Sequence, residues 1–224
     1  MTPTERQYIL QFLELLRANN TREWFQAHRA DYERARATFL EMVAQTIERL
    51  SAFDPTIQGI EPKSTTYRIN RDTRFSPDKS PYKTHLGAYI NTYGTKSLHA
   101  GYYLHLEPGA SGIGCGPYWL PTNVLTAVRN DIVLRTEEFR TILEEPTFKA
   151  NFTSFGMNHL KTLPKGFDKS YPYPEYLRPK DYVLWYELSD DFFRQSDWLD
   201  TIAEKFALMK PFMDFVNQTI DDYC

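Results

Sequence analysis

Apolar positions near the start of the chain recur with a helical period. Ile9, Phe12, Leu13 and Leu16 make one stripe, predicting a helix that begins at Thr4, with Gln7 three residues on, and ends at Asn19–Asn20. Thr21 then opens a longer stripe of Phe25, Tyr32, Phe39, Met42, Ile47 and Leu50, predicting a second helix that runs to about Ser51 and stops before Asp54–Pro55. Together they predict an N-terminal helical hairpin. The period changes after residue 65. Thr66–Ile69 reads as a short strand. Leu86–Thr92 and Ala100–Glu107 alternate apolar and polar residues on either side of a turn at Tyr93-Gly94-Thr95-Lys96, the pattern of an antiparallel hairpin. Ser111–Trp119 reads as a further strand.

Helical signals return after Pro121, over Thr122–Val133, Thr136–Leu143 and a short piece opened by Pro146. Leu163–Lys180 interleaves prolines with Tyr and Phe, which predicts an ordered surface segment, because flexible linkers carry few aromatics. Tyr182–Leu188 has the apolar run of a buried strand. Asp197 caps a last helix with Trp198, Ile202, Phe206, Met209, Met213 and Val216 on one side. The expected fold is a single α+β domain spanning 1–224: the helical hairpin, a central, mainly antiparallel sheet, and C-terminal helices packed on it.

Composition narrows the function classes. With 42% hydrophobic and 15% aromatic residues, the chain has ample material for a core. A pI near 6.0 argues against a duplex-DNA binder, which carries a broad basic face. Two cysteines, Cys115 and Cys224, imply no disulfide framework. The N-terminus lacks the pattern of a signal peptide, and no apolar run is long enough to span a membrane. The expectation is a soluble cytoplasmic protein; its oligomeric state is not legible.

Charge patterning changes the picture at one place. Between Arg68 and Lys83 the chain carries Arg68, Arg71, Arg74, Lys79 and Lys83 against Asp72 and Asp78, within a protein of net charge −3. Guanidinium forks grip phosphate or carboxylate oxygens in pairs, and lysine adds point charge. Three residues of extended chain span about 10 Å, so these cations reach one ligand only if Ser76-Pro77-Asp78 and Ser80-Pro81 turn the loop back. The strand parities would add Tyr103, His105 and Glu107 on one sheet face, with Arg68, Asn70, Tyr89 and Asn91. A solvated outer face has the same composition.

Other groups carry weaker signals. His105 and Glu107 stand two apart on one strand, but two ligands are too few for a metal, and His99 has the opposite parity. No HxH or HExxH spacing is present, so neither metal nor cofactor is expected. Gly112, Gly114 and Gly116 strip one side of their strand of side chains, which predicts close packing there, a helix being the simplest neighbour. Cys115 reads as a small buried hydrophobe. His28, near Asp31 and Tyr32 on the second helix, is a possible general base.

The stretches NTREWFQAHRADYE (Asn20 to Glu33), YRINRDTRFSPDKSPYKTHLGAYI (Tyr67 to Ile90), GYYLHLEPGASGIGCGPYWLP (Gly101 to Pro121) and LPKGFDKSYPYPEYLRPKDY (Leu163 to Tyr182) resemble the conserved hypothetical family called domain of unknown function 2461. The resemblance implies a single-domain protein and directs attention to Arg68, Arg71, Asp72, Arg74, Phe75, Lys79, Pro81, Tyr82 and Lys83. It carries over no activity, and it speaks against Cys115 as a nucleophile.

The leading expectation is a site for an anionic, phosphate-bearing ligand, such as a nucleotide or sugar phosphate. It is built on the loop 68–83, with Arg68, Arg71, Arg74, Lys79, Lys83, Tyr82 and Tyr103 binding. A metal-independent hydrolase or transferase would add His105, Glu107 or His28 as acid or base. Two rivals stand beside it: an interaction module whose basic loop docks an acidic protein surface, and a structural ion network of Arg71, Asp72 and Arg74 with no ligand at all.

Overall fold

A computed structural model describes residues 1–223; Cys224 lies outside them. Helix α1 (Pro3–Ala18) starts one residue earlier than the pattern suggests. Pro3 is preset for the first helical position, and Thr2 and Glu5 close a capping box: Glu5 N–H donates to Thr2 Oγ1 at 3.3 Å and Thr2 N–H to Glu5 Oε2 at 2.6 Å. The expected long second helix is two helices, α2 (Arg22–Ala27) and α3 (Arg29–Leu50). They part at His28, whose backbone leaves the helical region at φ −109°, ψ 25°. Its ring stacks on Trp24 at 4.0 Å, and its Nδ1–H donates to the Trp24 carbonyl at 2.8 Å.

A one-turn helix α4 (Pro62–Thr65) precedes β1 (Leu86–Ile90), β2 (Tyr102–Leu106) and β3 (Gly112–Cys115). Next come α5 (Thr122–Leu134), α6 (Thr136–Glu144), α7 (Pro146–Asn151), α8 (Pro174–Leu177), β4 (Leu184–Glu187) and α9 (Trp198–Tyr223). The strands form an antiparallel sheet in the order β1-β2-β3-β4. The architecture is α+β, as the pattern predicts. No described helix is long and apolar enough to cross a membrane.

The chain packs as two compact units. The first comprises Met1–Thr95, Tyr103–Ile113 and Glu187–Glu204. Here α1 lies on α3, with Phe12 6.0 Å from Tyr32 and the Arg34 guanidinium 4.1 Å above the Tyr8 ring. Buried Arg6 donates from Nε to the Phe193 carbonyl at 2.7 Å and from Nη2 to that of Gln195 at 2.8 Å. The second comprises Lys96–Tyr102, Gly114–Tyr186 and residues 205–223. Its core is aromatic: Phe139, fully buried, has the rings of Phe155, Tyr176, Phe212 and Phe215 within 4.9–5.8 Å, a dense cluster of edge and tilted contacts.

Two local expectations change. Thr66–Ile69 is not a strand but is held by isolated antiparallel bridges, Thr66 to Ala88 and Asn70 to Tyr82. The third strand shortens to Gly112–Cys115, and what crowds its glycines is backbone rather than a helix. A Cβ on Gly114 would lie 2.6 Å from the Leu184 carbonyl oxygen, and one on Gly116 (φ +111°) 2.0 Å from that of Tyr182. Cys115 is buried, with its thiol against the Met209 carbonyl at 3.8 Å. Burial pushes that thiol well above its ordinary pKa, leaving it un-ionised.

Candidate functional site

The basic segment is a hairpin of irregular strands. Tyr67 N–H donates to the Gly87 carbonyl at 3.2 Å, Lys83 N–H to Ile69 at 2.8 Å and Arg71 N–H to Pro81 at 2.9 Å. The loop between Arg71 and Pro81 uses most of its charge on itself. Arg71 pairs with Asp78 and donates to the Ser80 carbonyl at 3.1 Å and to Ser76 Oγ at 3.3 Å. Arg74 sets its fork on Asp72, with contacts of 2.7 and 3.0 Å. Lys79 donates to the Thr73 carbonyl at 2.9 Å. Asp78 accepts from Ser80 Oγ and Ser80 N–H; these bonds, with Arg71, lower its pKa to about 2. The expected convergence of Arg71, Arg74 and Lys79 on one ligand is therefore absent from this geometry: all three tie down the loop they stand on.

Arg68 and Tyr82, at the base of the hairpin, belong to a different arrangement. They line a cleft of about 690 Å³ together with α3 and α4 residues. Its cations are Arg29, Arg36, Lys63 and Arg68, against Glu33 as the one lining acid. Arg29 is paired with Glu33 at 2.9 Å. Arg36, Lys63 and Arg68 form no ion pair among the described residues. The aromatic wall is Phe25, Tyr32, Tyr67 and Tyr82. Tyr82 is buried and stacked on Phe25 at 4.0 Å, and Asn20 clamps its backbone by accepting from Tyr82 N–H at 3.1 Å and donating to its carbonyl at 3.0 Å. Lys83 stands over the Tyr67 ring at 5.5 Å; burial, then neighbouring Arg68, hold its pKa below the usual lysine range. Tyr67 is 43% exposed and forms part of this wall.

A second group of polar side chains sits on the sheet. In β2, Tyr102, Leu104 and Leu106 are buried, leaving Tyr103 and His105, with Glu107 directly after the strand, half-buried on the other face. They are connected in series: Tyr103 Oη lies 2.9 Å from His105 Nδ1, and His105 Nε2 lies 3.1 Å from Glu107 Oε2. In the tautomer that donates Nε2–H to Glu107, Nδ1 is the acceptor for the Tyr103 hydroxyl. Thr84 Oγ1 donates to the other Glu107 oxygen at 2.9 Å. Burial works to raise the Glu107 pKa, but the bonds from His105 and Thr84 outweigh it and leave it lowered. Burial also raises the Tyr103 pKa. Gly87 makes room for the ring, since a Cβ there would lie 2.6 Å from Tyr103 Oη. Asn91, expected on this face, is buried past the end of β1, where its Oδ1 accepts from Tyr93 N–H at 2.7 Å and starts the turn.

His85 completes the group. It precedes β1 with the parity of Gly87, and its ring centroid is 4.6 Å from that of His105. Burial, then His105, push its pKa down to about 4, so the imidazole is neutral at pH 7. One ligating atom from each of His85, His105 and Glu107 falls within 4.8 Å of the others. Sequence spacing singles out neither His85 nor the cleft residues Arg29, Arg36 and Lys63. The parity of residues 85, 87 and 89 would have found the first. Arg29, Tyr32 and Arg36 share a helical face (i, i+3, i+7), legible once the break at His28 sets the phase. Lys63, on a one-turn helix, has no periodic signal. His28, engaged with Trp24, lines neither the cleft nor the sheet cluster.

A family model described as a conserved hypothetical protein, DUF2461, matches residues 8–215. No curated protein and no solved structure matches the chain.

Proposed function

We propose that this chain, which belongs to the conserved hypothetical protein family DUF2461, binds a phosphate-bearing anion in the cleft between α3 and the base of the hairpin. The observation that carries the reading is the charge imbalance of that cleft: four cations against one acid, with Arg36, Lys63 and Arg68 unpaired among the described residues. Cations that line one cleft with a single carboxylate, itself paired with Arg29, repel one another, and an anion entering between them relieves that cost. Their guanidinium groups suit phosphate oxygens. The Tyr32, Tyr67 and Tyr82 wall suits the base or sugar of a nucleotide or sugar phosphate, and about 690 Å³ lies within the usual range for small-molecule sites. Relative to the expectation from sequence, the ligand set keeps Arg68 and Tyr82, gains Arg29, Arg36 and Lys63, and assigns Arg71, Arg74 and Lys79 to ordering the loop.

A thermal-shift series with inorganic phosphate, pyrophosphate, ATP and a sugar phosphate tests the reading. Stabilisation by at least one of them, lost in Arg36→Ala and Arg68→Ala but kept in Arg74→Ala, supports it. A shift that survives in the first two variants places the anion elsewhere. One observation favours a second reading, a hairpin that docks an acidic protein: Phe75 at the loop tip is 94% exposed beneath the Arg74 guanidinium, 5.8 Å away.

A further inference from the structure

The geometry points to a metal centre on the sheet: we propose that His85, His105 and Glu107 are the protein ligands of a divalent transition-metal ion. Their ligating atoms already lie within 4.8 Å of one another. Ligands about 2.1 Å from a tetrahedral ion stand roughly 3.4 Å apart. His105 Nε2 and Glu107 Oε2, at 3.1 Å, are at that spacing, and His85 needs only a small closure toward them.

The donor set selects the ion class. Two imidazoles and one carboxylate suit zinc, iron, manganese or cobalt. Calcium and magnesium call for more oxygen ligands. Three protein ligands leave at least one coordination position for water or a substrate oxygen.

The neighbours are those a metal site uses. Glu107 Oε1 is held by Thr84 Oγ1 at 2.9 Å, which leaves Oε2 to face the ion. With Nε2 on the metal, His105 Nδ1–H donates to Tyr103 Oη, now at 2.9 Å. Such outer contacts orient a ligand ring and select its tautomer. The ligands stand on β2, at its C-terminal end and at the entry to β1, and the side chains of His105 and Glu107 are 13% and 26% exposed. That is sheltered enough to concentrate the interaction and open enough for entry.

Without a metal, Tyr103, His105 and Glu107 still form their hydrogen-bonded series, and His85 is dispensable to it. His85 is therefore the residue that separates the two accounts. Tag-free protein is stripped with a chelator, then titrated with Zn²⁺ by calorimetry and with Co²⁺ by visible absorption. Wild type takes up one equivalent of either ion. His85→Ala and Glu107→Gln each weaken binding more than about 100-fold, and Tyr103→Phe, which removes an outer contact, weakens it about 10-fold. Circular dichroism checks that each variant is folded; should His85→Ala fail to fold, His85→Gln is read instead. Wild type that takes up neither ion, or a folded His85 variant that keeps wild-type affinity, overturns the assignment.

Discussion

Replacing Gly87 by alanine tests whether the polar face of the sheet is built as described. A Cβ at this position would meet Tyr103 Oη at 2.6 Å and two carbons of its ring at 3.1 and 3.2 Å. Reaching an ordinary contact of 3.4 Å requires the hydroxyl end to move about 0.8 Å. The Tyr103–His105 bond, now 2.9 Å, then stretches beyond the roughly 3.2 Å limit of a good hydrogen bond. Its loss costs about 1 kcal/mol and the forced repacking about 1 kcal/mol more. The reduced freedom of the unfolded chain returns about 0.5 kcal/mol, because the φ of Gly87 is one that alanine accepts. The expected net destabilisation is therefore about 1.5 kcal/mol, read by urea unfolding as a lower midpoint at unchanged slope. In a Tyr103→Phe background, which removes both the oxygen and the bond, the same substitution costs less than half as much. Nitrogen shifts of the His105 imidazole report whether Nδ1 has lost its partner. A Gly87→Ala protein as stable as wild type, with those shifts unmoved, would refute the placement of Tyr103 over β1.

Other outcomes follow from the same geometry. Gly116→Ala combines a left-handed φ of +111° with a Cβ 2.0 Å from the Tyr182 carbonyl oxygen; it lowers stability by about 3 kcal/mol in thermal unfolding. Gly59→Ala, at φ +77° with no atom within 4 Å, pays only backbone strain of about 1 kcal/mol. The Asp78 carboxyl, held near 2 against an ordinary 3.8, contributes loop stability that is fully present above about pH 4 and is lost as pH falls through 2. NMR titration of that carboxyl shows the low midpoint, and in Arg71→Ala it rises part of the way, because the Ser80 bonds remain. Phe75→Ser changes stability by less than about 0.5 kcal/mol and leaves anion binding at its wild-type strength; weakened anion binding in this variant would place the loop tip in the anion site.

Much of the fold was legible because amphipathic periods are physical records of burial. The stripe through Ile9, Phe12, Leu13 and Leu16 is wholly buried in α1, and the alternation of Tyr102, Leu104 and Leu106 with Tyr103, His105 and Glu107 holds through β2 and the residue directly after it. Breaks in helices were harder to read, since His28 interrupts its helix through a ring stacked on Trp24 and a bond to the backbone, neither of which alters the apolar period. The site was half legible. Charge clustering draws the eye to Arg68–Lys83, but composition cannot separate a cation that faces a cleft from one that pairs with Asp72 or Asp78 nearby. That distinction rests on the hairpin, which puts Arg68 and Tyr82 at its base and Arg71, Arg74 and Lys79 in its loop. Of the partners of Arg68, Arg29 and Arg36 come from α3, too remote in sequence for spacing to reveal, while Lys63 on α4 lies close in sequence but carries no periodic signal.

Isothermal titration of pyrophosphate and ATP into wild type, Arg36→Ala and Arg68→Ala, at low and high salt, tests the cleft most directly. The account predicts binding of at least one of these anions that weakens with salt and falls about tenfold in each variant, the loss of one charge-assisted contact, while Arg74→Ala binds as wild type does. Binding equally tight in wild type and both cleft variants, or no binding of either anion, would contradict it.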